Sequence, residues 1–189
     1  MDALRLYLLG GLLVHKLVWE VLKRREPARA RAAEAESPLA RVAKLVKLAI
    51  LLGILAQTLG PDVLPIRAEP GALRLVGAAL FTAGLAVALL ARIQLGRNWS
   101  DIEAGVVKPD HELVTRGLYG YIRHPIYAGD LLLLFGLELA LNSWLVLGVF
   151  VLAAAVYRQV LKEERVLLEQ LPGYADYCAR TRRFIPFVL

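Results

Sequence analysis

Long apolar runs, each bounded by polar or basic residues, make up most of this chain. Five of them have helical length, at about residues 4–22, 40–60, 72–95, 126–141 and 144–161. A helix needs roughly 20 mostly apolar residues to cross the hydrocarbon core of a bilayer. A chain of 189 residues is too short to bury so many apolar helices in one soluble core. The pattern therefore predicts an all-α integral membrane protein with about five transmembrane helices.

The fourth and fifth runs are separated only by Asn142 and Ser143, which predicts a tight helical hairpin. The fifth helix is expected to continue beyond the membrane, because no helix breaker follows until Pro172. Residues 1–70 supply two helices and a basic loop, and residues 71–189 supply three helices, the chemical core and a tail. We treat these two parts as one structural domain.

Composition and charge support this interpretation and add an orientation. Hydrophobic residues make up 58% of the chain, above the roughly 45–50% of soluble domains. The net charge of +6 fits lysine- and arginine-rich cytoplasmic loops better than nucleic-acid binding. The basic segments are the first and third interhelical loops and the tail, which share one side of the membrane if there are five spans. We therefore expect the N-terminus outside and the C-terminus in the cytoplasm.

The start of the predicted fourth helix is a candidate anion site. Pro125 suits a first helical turn, where its missing N–H costs nothing. His124 then lies beside the unpaired backbone N–H groups of that turn, which attract anions. A cofactor carboxylate would bind there with Arg123 as its partner. The alternative is that Arg123 and His124 anchor the helix end to lipid phosphates.

Further candidates lie on the fifth helix and in the tail. Arg158, Glu163 and Glu164 share one helix, and the first two are near enough in azimuth to reach one cavity, where Glu163 would orient Arg158. The alternative is a solvated helix carrying mixed charges. Tyr174 and Tyr177 are either site residues or part of an aromatic belt at the membrane interface.

Ionisable residues also occur inside the predicted spans, where they usually face a partner or a polar cavity. We expect a functional role for Asp130 and a structural one for Glu138, while His15 is unassigned. Lys16 and Glu20 are four residues apart and are expected to pair. No metal site is predicted, since the chain has one cysteine and no H-E-x-x-H motif.

Small residues in the third helix predict close packing against another helix. These small residues are Gly77, Gly84 and Ala88. Small side chains let helix backbones approach each other within a membrane. The sequence does not identify the partner helix or the oligomeric state.

Several motifs together resemble the isoprenylcysteine carboxyl methyltransferase family and its phospholipid methyltransferase relatives. They are GRNWS at 96–100, LVTRGLYGYIRHPIYAG at 113–129, EERVLLEQLPGYADY at 163–177 and RRFIP at 182–186. The resemblance covers roughly the C-terminal half of the chain. The glutamate pair and the tyrosines are joined through LPGY, where eukaryotic members have a longer FG-x-x-Y. This difference indicates a bacterial-type member, in the inner membrane, and leaves the acceptor open.

The resemblance implies a methyltransferase that uses S-adenosyl-L-methionine in a cytoplasm-facing pocket, without a Rossmann domain. A lipophilic acceptor enters that pocket from the bilayer, and the tail partly caps it. Arg158 and Glu163 would face the acceptor. The implied cofactor-binding set, with Arg123 and Pro125 from the helix start, is His124, Tyr127, Glu164, Tyr174, Tyr177 and Arg183.

The chemistry of the acceptor separates the remaining alternatives. A carboxylate, as in an isoprenylcysteine, is already ionised and needs positioning rather than a base. Arg158 would hold that carboxylate in a bidentate pair. Methylation of a phospholipid amine or a small thiol would need a base, for which Glu163 is the candidate. Two further hypotheses do not involve methyl transfer. One is a non-catalytic lipid-binding membrane protein, and the other is a membrane reductase with a nicotinamide cofactor.

Overall fold

The computed structural model describes residues 2–24, 38–98 and 112–186. Within these ranges the regular elements are all helices. The helices are α1 (Ala3–Arg24), α2 (Pro38–Leu59), α3 (Gly71–Leu95), α4 (Pro125–Ala140), α5 (Val146–Gln170) and α6 (Tyr174–Arg180). Two short 3-10 turns, Gly96–Asn98 and Gly117–Gly120, lie between α3 and α4. The GRNWS motif falls partly outside the described residues.

All five apolar runs are helical, and α6 is the one described α-helix that they did not predict. The predicted hairpin is confirmed, because residues 141–145 join α4 to α5. The extension of α5 past the apolar run is confirmed as well, since it ends at Gln170. Judged by length and composition alone, one of the described helices is long and apolar enough to cross a membrane. This helix is α3, with a mean hydropathy of 2.1. The number of spans stays a prediction.

The outer surface of the helices is apolar. Large hydrophobic side chains with more than half their area exposed occur on α1, α2, α3 and α5. Examples are Leu17, Leu45, Leu75 and Val151. A soluble monomer rarely exposes so much contiguous apolar surface, whereas a surface that faces lipid must be apolar. The fold therefore fits a bilayer environment.

Helices α3 and α4 pack with their backbones in contact. Gly77 and Gly84 of α3 are seven residues apart, as are Gly129 and Gly136 of α4. A Cβ at Gly77 would collide with the backbone of Ala140, and one at Gly136 with the backbones of both Phe81 and Gly77. The predicted close approach of α3 to another helix is thus confirmed, and α4 is that helix.

Polar pairs attach α1 and α2 to this central pair of helices. His15 Nε2 of α1 lies 2.9 Å from Asp130 Oδ1, with the two side chains 24% and 35% exposed. Gln57 of α2 donates a 2.8 Å hydrogen bond to Glu138, a contact that agrees with the structural role expected for Glu138. Asp130 therefore has a structural contact too, and a functional role for it stays a prediction.

The expected pairing of Lys16 with Glu20 is wrong. Glu20 instead accepts a 3.0 Å hydrogen bond from Arg24, one turn further along α1. Both neighbours are four residues from Glu20, so spacing alone does not decide between them. The guanidinium of Arg24 has several directed donors, and a glutamate N-terminal to its cation is the favoured orientation.

At the end of the molecule opposite α6, a polar corner joins four elements. Asp62 accepts hydrogen bonds from Arg5 at 2.7 Å, from Arg74 at 2.9 Å and from Asn142 at 3.2 Å. Asn142, in the left-handed region at φ 55°, also donates from its side chain to Arg67 O at 2.8 Å. The α2–α3 connection is therefore held against the turn between α4 and α5.

We predict that Gly136→Ala destabilises the protein by about 1–3 kcal/mol, because the new methyl group would overlap the α3 backbone. Gly148→Ala on α5 is the matched control, since a Cβ there has no neighbour within 4 Å. The control should gain about 0.5–1 kcal/mol from helix propensity. Thermal unfolding in detergent measures both, and equal stability of Gly136→Ala and wild type would contradict backbone contact.

Candidate functional site

The candidate site forms where the start of α4 meets the C-terminal segment, residues 174–186. A short parallel bridge joins Ile122 to Arg182. Arg123 N donates to Arg182 O at 2.7 Å, and His124 N donates to Arg183 O at 3.0 Å. The segment can reach this position because the α4–α5 hairpin returns the chain to the end of the molecule where α4 begins.

Glu164 is the centre of the site. Its Oε1 accepts a 2.7 Å hydrogen bond from Arg123 Nε and lies 3.3 Å from His124 Nε2. Its Oε2 accepts a 2.9 Å hydrogen bond from Arg183 Nε. The Glu164 side chain is only 7% exposed. One carboxylate thus joins α5, the start of α4 and the C-terminal segment. We call the group formed by Glu164, Arg123, His124 and Arg183 the latch.

The electrostatics of the latch favour an ionised carboxylate. Burial acts to raise the pKa of Glu164, but the hydrogen bonds from His124, Arg123 and Arg183 outweigh it and lower that pKa to about 2. The pKa of Arg183 shifts in the opposite direction to that of Glu164. Desolvation acts to lower its pKa, and the hydrogen bond to Glu164 more than compensates, so the net shift is upward.

Arg123 makes several contacts within the protein, although the sequence suggested it as the partner of a cofactor carboxylate. Besides Glu164, it donates through Nη1 to Thr181 O at 2.5 Å and to Cys178 O at 3.2 Å. Its five donors are suited to such a role, because they reach carbonyls at the end of α6 and a carboxylate together. Its observed contacts fasten the C-terminal segment.

His124 and Pro125 occupy the positions predicted at the helix start. His124 is the N-cap residue of α4 and Pro125 lies in its first turn. The His124 side chain does not cap the helix but turns towards Glu164. Aromatic rings lie nearby, with centroid distances of 6.0 Å from His124 to both Tyr127 and Phe184 and 6.4 Å from Tyr157 to Phe184.

Tyr157 and Phe184 are site residues that sequence reasoning missed. Tyr157 is in the apolar run of α5, and Phe184 is within the RRFIP motif. Neither bears a charge, and no spacing rule connects residues so far apart in the chain. Their ring contact follows only from the docking of the C-terminal segment against α5.

A second set of contacts surrounds Glu163. Tyr127 OH donates to Glu163 Oε1 at 2.6 Å, and Gln159 Nε2 donates to the same oxygen at 3.2 Å. The expected contact between Glu163 and Arg158 is replaced by these two. Residues five apart on a helix are about 140° apart around its axis, whereas residues four apart, such as Gln159 and Glu163, are neighbours. Arg158 is instead exposed.

Tyr174 and Tyr177 are buried, each 3% exposed, so the aromatic-belt interpretation is wrong for them. They pack with Leu167 and Leu171 into a small apolar cluster between α5 and α6. Tyr177 OH donates to Tyr119 O at 2.7 Å. Burial raises the pKa of Tyr177, which keeps its hydroxyl a donor. The observed contacts of both tyrosines anchor α6, and contact with a cofactor stays a prediction.

Comparisons with known proteins place this chain in a family. The phospholipid methyltransferase family matches residues 73–173, which contain most of α3 and all of α4 and α5. The match includes His124 and Glu164 of the site and ends just before the C-terminal segment. The match covers more than half of the chain. The protein therefore belongs to the phospholipid methyltransferase family.

Individual relatives differ in the functions that their names describe. The cobalt-zinc-cadmium resistance protein CzcN of Cupriavidus metallidurans is 36% identical over 113 residues, which are 59% of this chain and 51% of CzcN. The protein-S-isoprenylcysteine O-methyltransferase of Schizosaccharomyces pombe is 31% identical over 101 residues, 52% of this chain and 43% of that enzyme. The similarity thus spans about half the length of each relative.

A solved structure shares the fold along the whole chain. The eukaryotic intramembrane Ras methyltransferase ICMT, an isoprenylcysteine carboxyl methyltransferase, superposes with a TM-score of 0.61 at 19% identity. The superposition covers 100% of this chain and 69% of ICMT. It confirms the resemblance of the helical architecture to that membrane fold.

The pKa of Glu164 predicts how the latch responds to acid. The ionised carboxylate stabilises the fold fully above its ordinary pKa of 4.5, and this stabilisation is lost as the pH falls towards about 2. Glu164→Gln should therefore lower the melting temperature at neutral pH, and its deficit against wild type should shrink below about pH 4. Thermal melts across this range measure the deficit, and a pH-independent deficit would contradict the latch electrostatics.

Proposed function

We propose that this protein is an S-adenosyl-L-methionine-dependent methyltransferase that methylates the carboxylate of an isoprenylcysteine-like or other lipophilic acceptor. The observation that carries the proposal is the meeting of His124, Tyr127 and Glu164, which lie within the region that the family matches, with the C-terminal segment that follows it. The names of the relatives and of the structural neighbour support methyl transfer.

The residues at the site fit the cofactor chemically. S-adenosyl-L-methionine carries a carboxylate, an ammonium group, a sulfonium and an adenine ring, and when bound it supplies an electrophilic methyl group. His124 Nδ1 and the terminal nitrogens of Arg183 offer hydrogen-bonding groups for the carboxylate, since among the described residues the contacts with Glu164 use His124 Nε2 and Arg183 Nε. Glu163 offers an acceptor for the ammonium group. Tyr127, Tyr157 and Phe184 offer flat apolar surface for the adenine.

The acceptor side of the site centres on Arg158. Its guanidinium is exposed on α5, and within the described residues it has neither a hydrogen bond nor an ion pair. It follows Tyr157, whose ring contacts Phe184 at the site. An unengaged guanidinium can bind a carboxylate through two parallel hydrogen bonds. Arg158 would thereby hold the acceptor oxygen in line with the methyl group, which is a positioning contribution.

The proposed setting is a bacterial inner membrane crossed by α1 to α5. The N-terminus would lie outside, and the site and C-terminus in the cytoplasm, where the basic loops are placed by their charge. The exposed apolar side chains of α1, α2 and α5 support lipid contact around the helices. The acceptor would then reach the site laterally from the bilayer.

A second candidate acceptor is a phospholipid amine or a small thiol. Such a nucleophile must lose a proton, and the Glu163 carboxylate, 2.6 Å from Tyr127 OH, is a base within the site. The exposed Arg158 favours the carboxylate, because a cation repels a protonated amine. A lipid-binding protein without catalysis, or a nicotinamide-dependent reductase, would be selected by failure to bind S-adenosyl-L-methionine.

Calorimetry on detergent-purified protein tests the cofactor. We predict binding of S-adenosyl-L-methionine that His124→Ala weakens by about tenfold or more, as expected for loss of a charge-assisted hydrogen bond. Tyr121→Ala is the control, because Tyr121 lies three residues away and is 60% exposed. Folded wild-type protein that shows no binding would refute the methyltransferase proposal.

Steady-state methylation of a prenylated cysteine analogue tests the acceptor. Arg158→Ala should lower kcat/KM about 10- to 100-fold through loss of the paired hydrogen bonds, with unchanged affinity for S-adenosyl-L-methionine. Arg165→Ala is the control, since Arg165 is exposed on the same helix. Equal kcat/KM for the two variants would contradict an acceptor carboxylate at Arg158, and a faster reaction with an amine acceptor would select the alternative.

A further inference from the structure

A histidine and an aspartate meet between α1 and α4, away from both helix ends of α1. His15 Nε2 of α1 lies 2.9 Å from Asp130 Oδ1 of α4. His15 is ten residues beyond Arg5, which belongs to the polar corner, and nine residues before Arg24. These separations are about 15 Å and 14 Å along the helix axis. Ionisable side chains so deep in a bilayer usually face a partner or a polar cavity, which makes this pair a candidate functional group.

One carboxylate oxygen of the pair is left for a ligand. Within the described residues, the Asp130 side chain contacts His15 through Oδ1, and Oδ2 accepts no hydrogen bond. The Asp130 side chain is 35% exposed, so Oδ2 is accessible from outside the helices. A polar atom in apolar surroundings is costly when it has no hydrogen bond. A ligand that brings an N–H or O–H donor to this oxygen would therefore gain affinity from it.

The orientation of Asp130 is fixed by α1. Trp19 lies one turn after His15, and the two rings stack with their centroids 4.3 Å apart and their planes at 21°. The stack holds a face of the imidazole while Asp130 contacts its edge, so Oδ1 stays engaged and Oδ2 stays free. The family matches residues 73–173, which include Asp130 but not His15 or Trp19. The part of the chain before the matched region thus orients a residue inside it.

Asp130 lies next to the candidate site along α4. It follows Tyr127 by three residues, which places it about 4.5 Å further from the start of α4 and about 60° around the helix. The Tyr127 hydroxyl donates to Glu163 of the site at 2.6 Å. A lipophilic acceptor whose reacting group is near Tyr127 therefore has the atoms behind that group within about one helical turn of Asp130.

We propose that Asp130, oriented by His15, is a specificity-determining residue that accepts a hydrogen bond from an amide N–H beside the acceptor carboxylate. The proposal rests on the proposed function, because it concerns the acceptor of that reaction. An amide is neutral and can be buried at this depth at a smaller cost than a charged ammonium group. The acceptor class would then be an N-acylated amino acid that carries a lipid chain, rather than a simple fatty acid.

Equilibrium binding of two acceptors to the cofactor-free, full-length protein in detergent tests the proposal. One acceptor is an N-acetylated S-prenylcysteine, and the other is the S-prenylated mercaptopropionate, which has the same chain and carboxylate but no amide. Wild type should bind the first about tenfold or more tightly, as expected for a hydrogen bond to a carboxylate. Asp130→Leu should remove most of this preference by weakening the binding of the amide acceptor alone.

Glu138→Gln is the matched control. Glu138 is the other carboxylate of α4, about 12 Å further along that helix than Asp130, and it contacts Gln57 of α2. This variant should keep the wild-type preference for the amide acceptor. The double variant His15→Leu with Asp130→Leu removes both partners of the pair, which can be nearly neutral for stability, and it should show no preference either. It replaces Asp130→Leu in the comparison if that variant does not fold.

The ratio of the two affinities decides between recognition and a purely structural contact. A tether between α1 and α4 would lower the melting temperature of the variants and leave the ratio unchanged, which would overturn the proposal. Folded wild-type protein that binds both acceptors equally, or binds neither, would overturn it as well. Binding needs no methyl transfer, so protein that shows the predicted preference but methylates neither acceptor would refute the proposed function and leave the role of Asp130 in place.

Discussion

The backbone contact between α3 and α4 is the constraint on which the rest of this fold depends. Helices in a membrane gain little from hydrophobic association, so close van der Waals packing must hold them together. Gly77, Gly84, Gly129 and Gly136 permit that packing by leaving no side chain between the two backbones. The same contact fixes the axial register of α4. Since α4 begins at the His124 cap, the register also sets the position of the candidate site relative to α3.

The remaining helices are attached to this pair through polar contacts. The Asp62 corner secures one end, His15–Asp130 joins α1 to α4, and Gln57–Glu138 joins α2 to α4. A polar group surrounded by apolar side chains is costly when unpaired, so each pair specifies one arrangement of its two helices. The position of α5 is set by the turn at Asn142, which is held against the α2–α3 connection. Both glutamates of the site lie in the C-terminal part of α5.

The sequence predicted the parts of this structure that depend on local pattern. Apolar run lengths predicted α1 to α5, the Asn142-Ser143 break predicted the hairpin, and the placement of Pro125 predicted the start of α4. It did not predict α6, whose seven residues have no long apolar run and are held by the burial of Tyr174 and Tyr177. Nor did it predict the partners of Glu164, because contacts 19 to 41 residues away depend on how the C-terminal segment docks.

The two consecutive glutamates illustrate how one helix serves two purposes. Neighbouring residues on a helix point about 100° apart, so Glu163 and Glu164 cannot face the same group. Glu163 faces Tyr127 on α4, and Glu164 faces the latch cations, His124 among them. A rotation of α5 that brought one carboxylate closer to its partners would move the other away. The pair therefore couples the contact with Tyr127 on α4 to the docking of the C-terminal segment, because both glutamates move with α5.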